Sequence, residues 1–214
     1  MFDLILFDLD GTLTDPKEGI TKCVQYALRA CGVEEPDLDK LMPFIGPPLV
    51  DSFMMFYGFG REKALAAVEK YRERFRDTGI YENRVFDGTE PLLKQLKAAG
   101  KTVALATSKP HVFARRILAH YGLAGYFDVT VGAELDGTRN EKADVIQEVL
   151  RQRPEAKSPV MVGDRRYDVE GAHLCGISCI GVGFGYGEPG ELETAGADWI
   201  VEDMADLEAL LLTK

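Results

Sequence analysis

Asp3-Leu4-Ile5-Leu6-Phe7-Asp8-Leu9-Asp10-Gly11-Thr12-Leu13-Thr14 begins with a short apolar run, Leu4 to Phe7, that reads as a buried strand. Two carboxylates, Asp8 and Asp10, follow at alternate positions. On a strand they would point to one side. Gly11 breaks the regularity and lets the backbone approach a ligand closely. Two acids at a strand end beside a glycine turn can hold a hard cation while one carboxylate attacks an electrophile. Asp-Gly is also a common turn, so the meaning of the pair depends on what the rest of the chain delivers to the same place.

Working outward, the segment after this strand turns helical. Ile20, Cys23, Val24, Ala27, Leu28 and Cys31 recur at helix spacing, with Gly32 as the stop. Leu65, Val68, Tyr71 and Phe75 repeat the pattern up to Gly79. Between them Phe44-Ile45-Gly46-Pro47-Pro48-Leu49 forms a loop leading into the apolar segment Phe53 to Tyr57. No strand is expected over 15–83, which reads as a small helical insert. From Val85 the rhythm alternates. Helices are expected over 89–99, 110–121, 142–150, 169–174 and 207–212, and strands over 103–106, 127–131, 160–162, 177–180 and 199–201. Alternating strands and helices predict right-handed crossovers and a mostly parallel sheet covered on both faces. The fold class is therefore α/β, a doubly wound, Rossmann-like sheet. Residues 1–14 and 84–214 form the core domain, and 15–83 form an inserted α-helical domain.

In such a sheet, ligands bind beyond the carboxyl ends of the strands. The first strand ends at Asp8 and Asp10, the strand ending at Ala106 at Thr107-Ser108-Lys109, and the strand ending at Val162 at Gly163-Asp164-Arg165-Arg166-Tyr167-Asp168. Lys142 opens the helix after the 127–131 strand. Asp8 is the candidate nucleophile, able to accept a phosphoryl group as an aspartyl phosphate. Asp10 can protonate the leaving oxygen and later take a proton from water. Gly11, Thr107 or Ser108, and backbone N–H groups at a helix start form an anion site, and Lys142 adds a point charge. Asp164, with Asp8 and the Asp10 carbonyl, makes an oxygen site for Mg2+. Asp168, one helical turn beyond Asp164, would support a metal-bound water or Lys142. Lys109 stays open between a phosphate contact and a surface residue.

Composition narrows the classes. The 214 residues carry 25 Lys and Arg against 35 Asp and Glu, a net charge of −10. That argues against a nucleic-acid or anionic-membrane surface, though not against a small anion held beside a metal. Cys23, Cys31, Cys175 and Cys179 show no zinc spacing and are expected as buried thiols. His111, His120 and His173 show no paired ligand pattern. Gly181-Val182-Gly183-Phe184-Gly185-Tyr186-Gly187 lacks dinucleotide-loop register and is expected as a flexible loop near the site. With no signal peptide and no long apolar run in view, the expected location is cytoplasmic.

The blocks Asp8-Leu9-Asp10-Gly11-Thr12, Thr107-Ser108-Lys109, Lys142 and Gly163-Asp164-x-x-x-Asp168, in this order, resemble the haloacid dehalogenase-like superfamily of phosphohydrolases. Within it, Asp8 to Pro16, Ile45 to Leu49 and Gly181 to Gly187 resemble the phosphoglycolate phosphatase-like branch. The resemblance implies that the insert is a cap, hinged near Thr14 to Lys17 and Asn83 to Phe86, that closes over substrate with a specificity loop at Gly46 and Pro47. It implies Asp8 as nucleophile, Asp10 as acid/base, Ser108 or Thr107 with Lys142 as phosphate clamp, and Asp164 as metal acid. Lys142 lacks the Lys-Pro pair of many relatives, and the second acid sets the chain apart from the dehalogenase branch. The leading expectation is a Mg2+-dependent phosphomonoesterase acting on phosphoglycolate, a sugar phosphate or a nucleoside monophosphate. Alternatives are a phosphomutase of the β-phosphoglucomutase type and a non-catalytic binding protein. Expected partners are the small metabolite and, at most, a second copy of the chain (monomer or homodimer), with no nucleic acid and no membrane.

Overall fold

The computed structural model describes residues 1–136 and 138–214. The chain divides into two compact units, residues 1–14 with 85–214, and residues 15–84. The second differs by one residue from the insert expected from sequence.

In chain order the elements are strands β1 (Leu4–Phe7) and β2 (Thr14–Asp15), helices α1 (Lys17–Ala30), α2 (Leu49–Tyr57) and α3 (Arg61–Phe75), β3 (Arg84–Val85), α4 (Thr89–Ala98), β4 (Thr102–Pro110), α5 (His111–His120), β5 (Val129–Ala133), α6 (Lys142–Gln152), β6 (Pro159–Gly163), α7 (Arg166–Leu174), β7 (Ser178–Val182), α8 (Glu191–Ala195), β8 (Trp199–Val201) and α9 (Met204–Thr213). Two-residue strands β2 and β3 pair with each other.

The first unit is built on a parallel sheet of order β5-β4-β1-β6-β7-β8. β1 lies inside it, with Phe7 level with Leu105 of β4 and Val162 of β6. Every residue of β1 is buried, as both faces are covered. One face packs Leu4, Leu6, Ala104, Ala106, Val129, Val131 and Met161 against Val145, Ile146 and Val149 of α6 and Val169 and Ala172 of α7. These helix positions recur at three- and four-residue spacing, so burying that stripe fixes each helix on the sheet. α4 lies against β4 and α9.

Because the sheet is parallel, β1, β4 and β6 present their carboxyl ends at one rim. β4 runs farther than expected, to Pro110, with a register shift against β5 between Thr107 and Pro110. Thr107-Ser108-Lys109 therefore belongs to an irregular strand end. Gly132 permits that shift, since a Cβ there would lie 2.6 Å from the Lys109 carbonyl oxygen. Strand β5 starts two residues later than expected, and α7 starts at Arg166, ahead of the expected 169. α8, with five residues, is too short to show a period and was not expected. Cys23 and Cys179 are buried, whereas Cys31 and Cys175, expected as buried, are half-buried.

The second unit packs α1 on α3. The buried stripe of α1 is Ile20, Cys23, Val24, Ala27 and Leu28, and that of α3 is Ala64, Ala67, Val68, Tyr71 and Phe75. A Phe44–Phe53 edge contact at 5.0 Å and a Phe53–Phe59 stack at 5.9 Å anchor α2 and its preceding turn. Gly19 lets α1 touch the turn after α3, as a Cβ there would sit 2.1 Å from the Gly79 carbonyl oxygen. Among the described residues no helix is long and apolar enough to cross a membrane.

Candidate active site

The rim beyond β1, β4 and β6 gathers a buried set of charges. Asp8 leaves β1 with its N–H donating to the Val162 carbonyl at 2.9 Å, which holds the side chain beside the end of β6. Lys142, the first residue of α6, is only 6% exposed. Its ammonium stands 2.9 Å from Asp8 Oδ1 and 2.7 Å from Asp168 Oδ1. Both contacts are ion pairs between buried groups. The ammonium also donates to the Ala106 carbonyl at 3.3 Å. Gly171 makes room for the lysine stem, as a Cβ there would fall 2.8 Å from its Cγ.

Asp164 and Asp168 come from the turn into α7. Asp168 Oδ2 accepts from the Arg165 N–H at 3.0 Å and so tightens the first turn of the helix. Gly163 allows this, because a Cβ there would be 2.1 Å from Asp168 Cγ. Asp164 Oδ2 accepts from the Tyr186 N–H at 2.7 Å, and Oδ1 from the Thr12 hydroxyl at 3.2 Å. Backbone closes on this carboxylate from two sides. A Cβ on Gly11, whose φ is 85°, would lie 2.2 Å from Asp164 Oδ2, and one on Gly185 would lie 2.2 Å from Asp164 Cβ. The glycine-rich segment expected as a flexible loop is thus a packed wall of the site.

Oxygens of Asp8, Asp164 and Asp168 lie within 4.8 Å of one another. Their electrostatics follow from crowding without water. Burial pushes the Asp164 carboxyl well above the ordinary carboxylate range, and neighbouring Asp168 and Asp8 push the same way; the Tyr186 N–H opposes them. Asp168 is pushed up to about 6 by burial, with Lys142 pulling down and Asp8 pushing up. Burial alone would lower Lys142, but Asp168 and Asp8 reverse that and hold it protonated. Three carboxylates against one ammonium leave an excess of two negative charges, which a divalent cation would balance. The all-oxygen donor set suits Mg2+.

Asp10, expected as the acid/base, stands beside Lys109. Its Oδ2 is engaged by the Lys109 ammonium at 2.5 Å, while Oδ1 is buried with no hydrogen-bond partner among the described residues. Burial raises its carboxyl, Lys109 lowers it and Asp8 raises it, with a net upward shift. Asp168, expected to support a metal-bound water or Lys142, meets the Lys142 ammonium and also sits in the carboxylate cluster.

Thr107 and Ser108 separate. The Thr107 hydroxyl is buried and accepts from the Lys109 N–H at 3.2 Å. Ser108 is half-buried, and among the described residues its hydroxyl has no partner. Gly46 and Pro47 belong to the helical unit, in the loop before α2. Three contacts in the site were not foreseen. Thr12, the Tyr186 N–H and the Lys109 contact with Asp10 carry no periodic signal; only the Gly185-x-Gly187 spacing hinted at close backbone approach.

Comparison with known proteins fits this geometry. A family model for haloacid dehalogenase-like hydrolases matches residues 5–182. A relative named 5'-nucleotidase, from Pseudomonas aeruginosa, is 50% identical over 208 residues, 97% of this chain and 94% of that protein. A relative named tyrosine-protein kinase PtkA, from Mycobacterium tuberculosis, is 44% identical over 185 residues, 86% of this chain but 63% of that protein. The crystal structure of a "predicted phosphatase" from Clostridium acetobutylicum superposes with a TM-score of 0.95 at 45% identity, covering 100% of both chains.

Proposed function

The chain belongs to the haloacid dehalogenase-like hydrolase family, and on that premise we propose that it is a Mg2+-dependent phosphomonoesterase acting on a small phosphorylated metabolite. The observation that carries this reading is the buried cluster of Asp8, Asp164 and Asp168 around Lys142, short of two positive charges. A surface cap or turn has no reason to assemble buried carboxylates in that excess.

Asp8 and Asp164, with the Asp10 carbonyl and Asp168 close by, would hold the metal. Mg2+ supplies positive charge that offsets repulsion between an anionic nucleophile and an anionic phosphoryl group. The chain's own residues do the rest. A carboxylate oxygen of Asp8 attacks phosphorus, an aspartyl phosphate forms, and the ester P–O bond breaks. Asp10, whose carboxyl is shifted upward, gives its proton to the departing oxygen. It then takes a proton from a water whose oxygen attacks the same phosphorus, releasing phosphate and restoring Asp8. Lys142 and the unpartnered Ser108 hydroxyl bind the phosphoryl oxygens.

The name of the Pseudomonas relative puts nucleoside 5'-monophosphates first among substrates, ahead of phosphoglycolate and sugar phosphates. The name of the mycobacterial relative makes a protein tyrosine the competing phosphoryl acceptor. Phosphate release with Mg2+ across a panel of these monoesters tests the proposal, alongside a search for phosphotyrosine when a nucleoside triphosphate is supplied. Release from at least one monoester, and its loss by about 10⁴-fold or more in Asp8→Asn, is expected. Undiminished release in that variant would exclude covalent transfer through Asp8. Phosphotyrosine without free phosphate would turn the reading to the kinase.

A further inference from the structure

Glu191 lies at the start of α8, outside the carboxylate cluster, yet it is bound to the turn that carries Asp164. Its Oε1 accepts from Arg165 Nε at 2.9 Å and from the Arg166 N–H at 2.8 Å, and its Oε2 accepts from the Glu188 N–H at 2.9 Å. Two donors belong to the residues just after Asp164, and the third to the segment carrying Tyr186. The ion pair with Arg165 is sheltered, with side-chain exposures of 12% and 9%. The 183–190 segment and the 164–166 turn are thereby fastened together close to where the Tyr186 N–H meets Asp164 Oδ2. A second fastening is steric, since a Cβ on Gly187 would lie 2.6 Å from the Asp164 carbonyl oxygen.

We infer that Glu191 is a positioning residue for the metal site: it latches the glycine-rich wall onto the Asp164 turn and so sets the affinity for Mg2+. A carboxylate with one oxygen fixed by a backbone N–H and the other by a hydroxyl presents its remaining lone pairs in a set direction. A cation then meets an oriented ligand instead of having to order one. Without the latch, three donors lose their acceptor. The wall drifts from the turn, the Tyr186 N–H leaves Asp164, and the ligand swings.

This inference rests on the reading of Asp164 as a metal ligand, and the experiment separates the two. Mg2+ is titrated calorimetrically, without substrate, into wild type, Asp164→Asn, Glu191→Ala and Glu193→Ala. Glu193 is exposed on the same helix and controls for loss of one negative charge. Removal of a supporting contact weakens metal affinity by about 10–100-fold, so Glu191→Ala is expected to bind Mg2+ about tenfold more weakly and Glu193→Ala like wild type. Thermal unfolding without metal shows whether Glu191→Ala is folded at the titration temperature. If it is not, Arg165→Met, which breaks the pair from the other side, is expected to weaken binding several-fold. Equal affinity in wild type and Glu191→Ala, or equal weakening in Glu191→Ala and Glu193→Ala, overturns the latch. With Arg165→Met as the readout, unchanged affinity overturns it. Equal Mg2+ heats in wild type and Asp164→Asn overturn the metal reading itself, and the latch with it.

Discussion

Each unit holds a cluster of charges, and the two are built differently. In the helical unit, Arg74 meets Glu82 through two contacts of 2.6 and 2.9 Å, and Lys22 reaches Glu18 at 2.5 Å and Glu82 at 3.3 Å. Two cations face two carboxylates, and solvent reaches them. The Arg74 contact holds the Glu82 carboxyl below its ordinary range, against a smaller effect of burial. At the sheet rim, Lys142 faces Asp8 and Asp168 with Asp164 alongside, all buried, and the shifts of Asp164 and Asp168 are upward. A cluster that only ties elements together matches its charges. One left short of positive charge, and buried, carries the charge that a divalent cation would balance under the proposed reading.

The largest effect should come from Lys142→Met. It removes the Lys142 ammonium from the buried cluster and leaves carboxylates unpaired, which costs about 3–5 kcal/mol. Turnover should fall by about 10²–10³-fold through loss of one phosphate contact. Arg74→Met in the helical unit should cost a fraction of that, because its partners can turn to water. Chemical denaturation of both variants checks the contrast, and equal losses would erase it.

The pH profile follows next. The folded-state values of Asp164 and Asp168 are raised, so at these two positions the folded metal-free protein binds more protons than the unfolded chain above about pH 4. That stability is present below the unfolded value and is lost as pH rises through the folded one. For Asp168 the window runs from the ordinary 3.8 to about 6, on the order of 3 kcal/mol; Asp164 acts in the same direction. Glu82 has the opposite sign, because its lowered value gives stability that is lost as pH falls through it. Unfolding followed from pH 4 to 8 should show a decline without metal and a flatter line with saturating Mg2+. Asp164→Asn should raise metal-free stability by about 1 kcal/mol near neutral pH while abolishing any stabilisation by Mg2+. A destabilised Asp164→Asn would mean that this carboxylate is not repelled by its neighbours.

The contrast was half legible in the sequence. Asp8, Lys142, Asp164 and Asp168 follow or open elements with clear hydrophobic periodicity, so the alternation of strands and helices was enough to direct them to one rim. The order of strands, with β1 inside the sheet, had no such signal. Lys109 could not be placed because a long flexible stem after a strand reaches in many directions, and only the irregular end of β4 turns it onto Asp10. The same irregularity separates Thr107 from Ser108. Glu191 was invisible, as a five-residue helix has no period and the Arg165 side chain and Arg166 N–H that it holds lie about 25 residues earlier in the chain. Close backbone approach is written only as glycine, and Gly185 and Gly187 could equally have marked a loose loop.

The smallest effect, and the sharpest control, is Glu82→Gln. The side chain is 21% exposed, and the amide keeps one acceptor for Arg74 while losing its charge. Partly exposed pairs of this kind contribute about 0.5–1 kcal/mol, less at high salt. Thermal unfolding at low and high salt should therefore show a small loss that shrinks as salt rises. Mg2+ affinity should not change, because Glu82 belongs to a cluster that already balances its own charges. A shift in Mg2+ affinity in this variant would show that the helical unit's charges bear on the metal site, and the division between a matched cluster for structure and an unmatched one for chemistry would have to be given up.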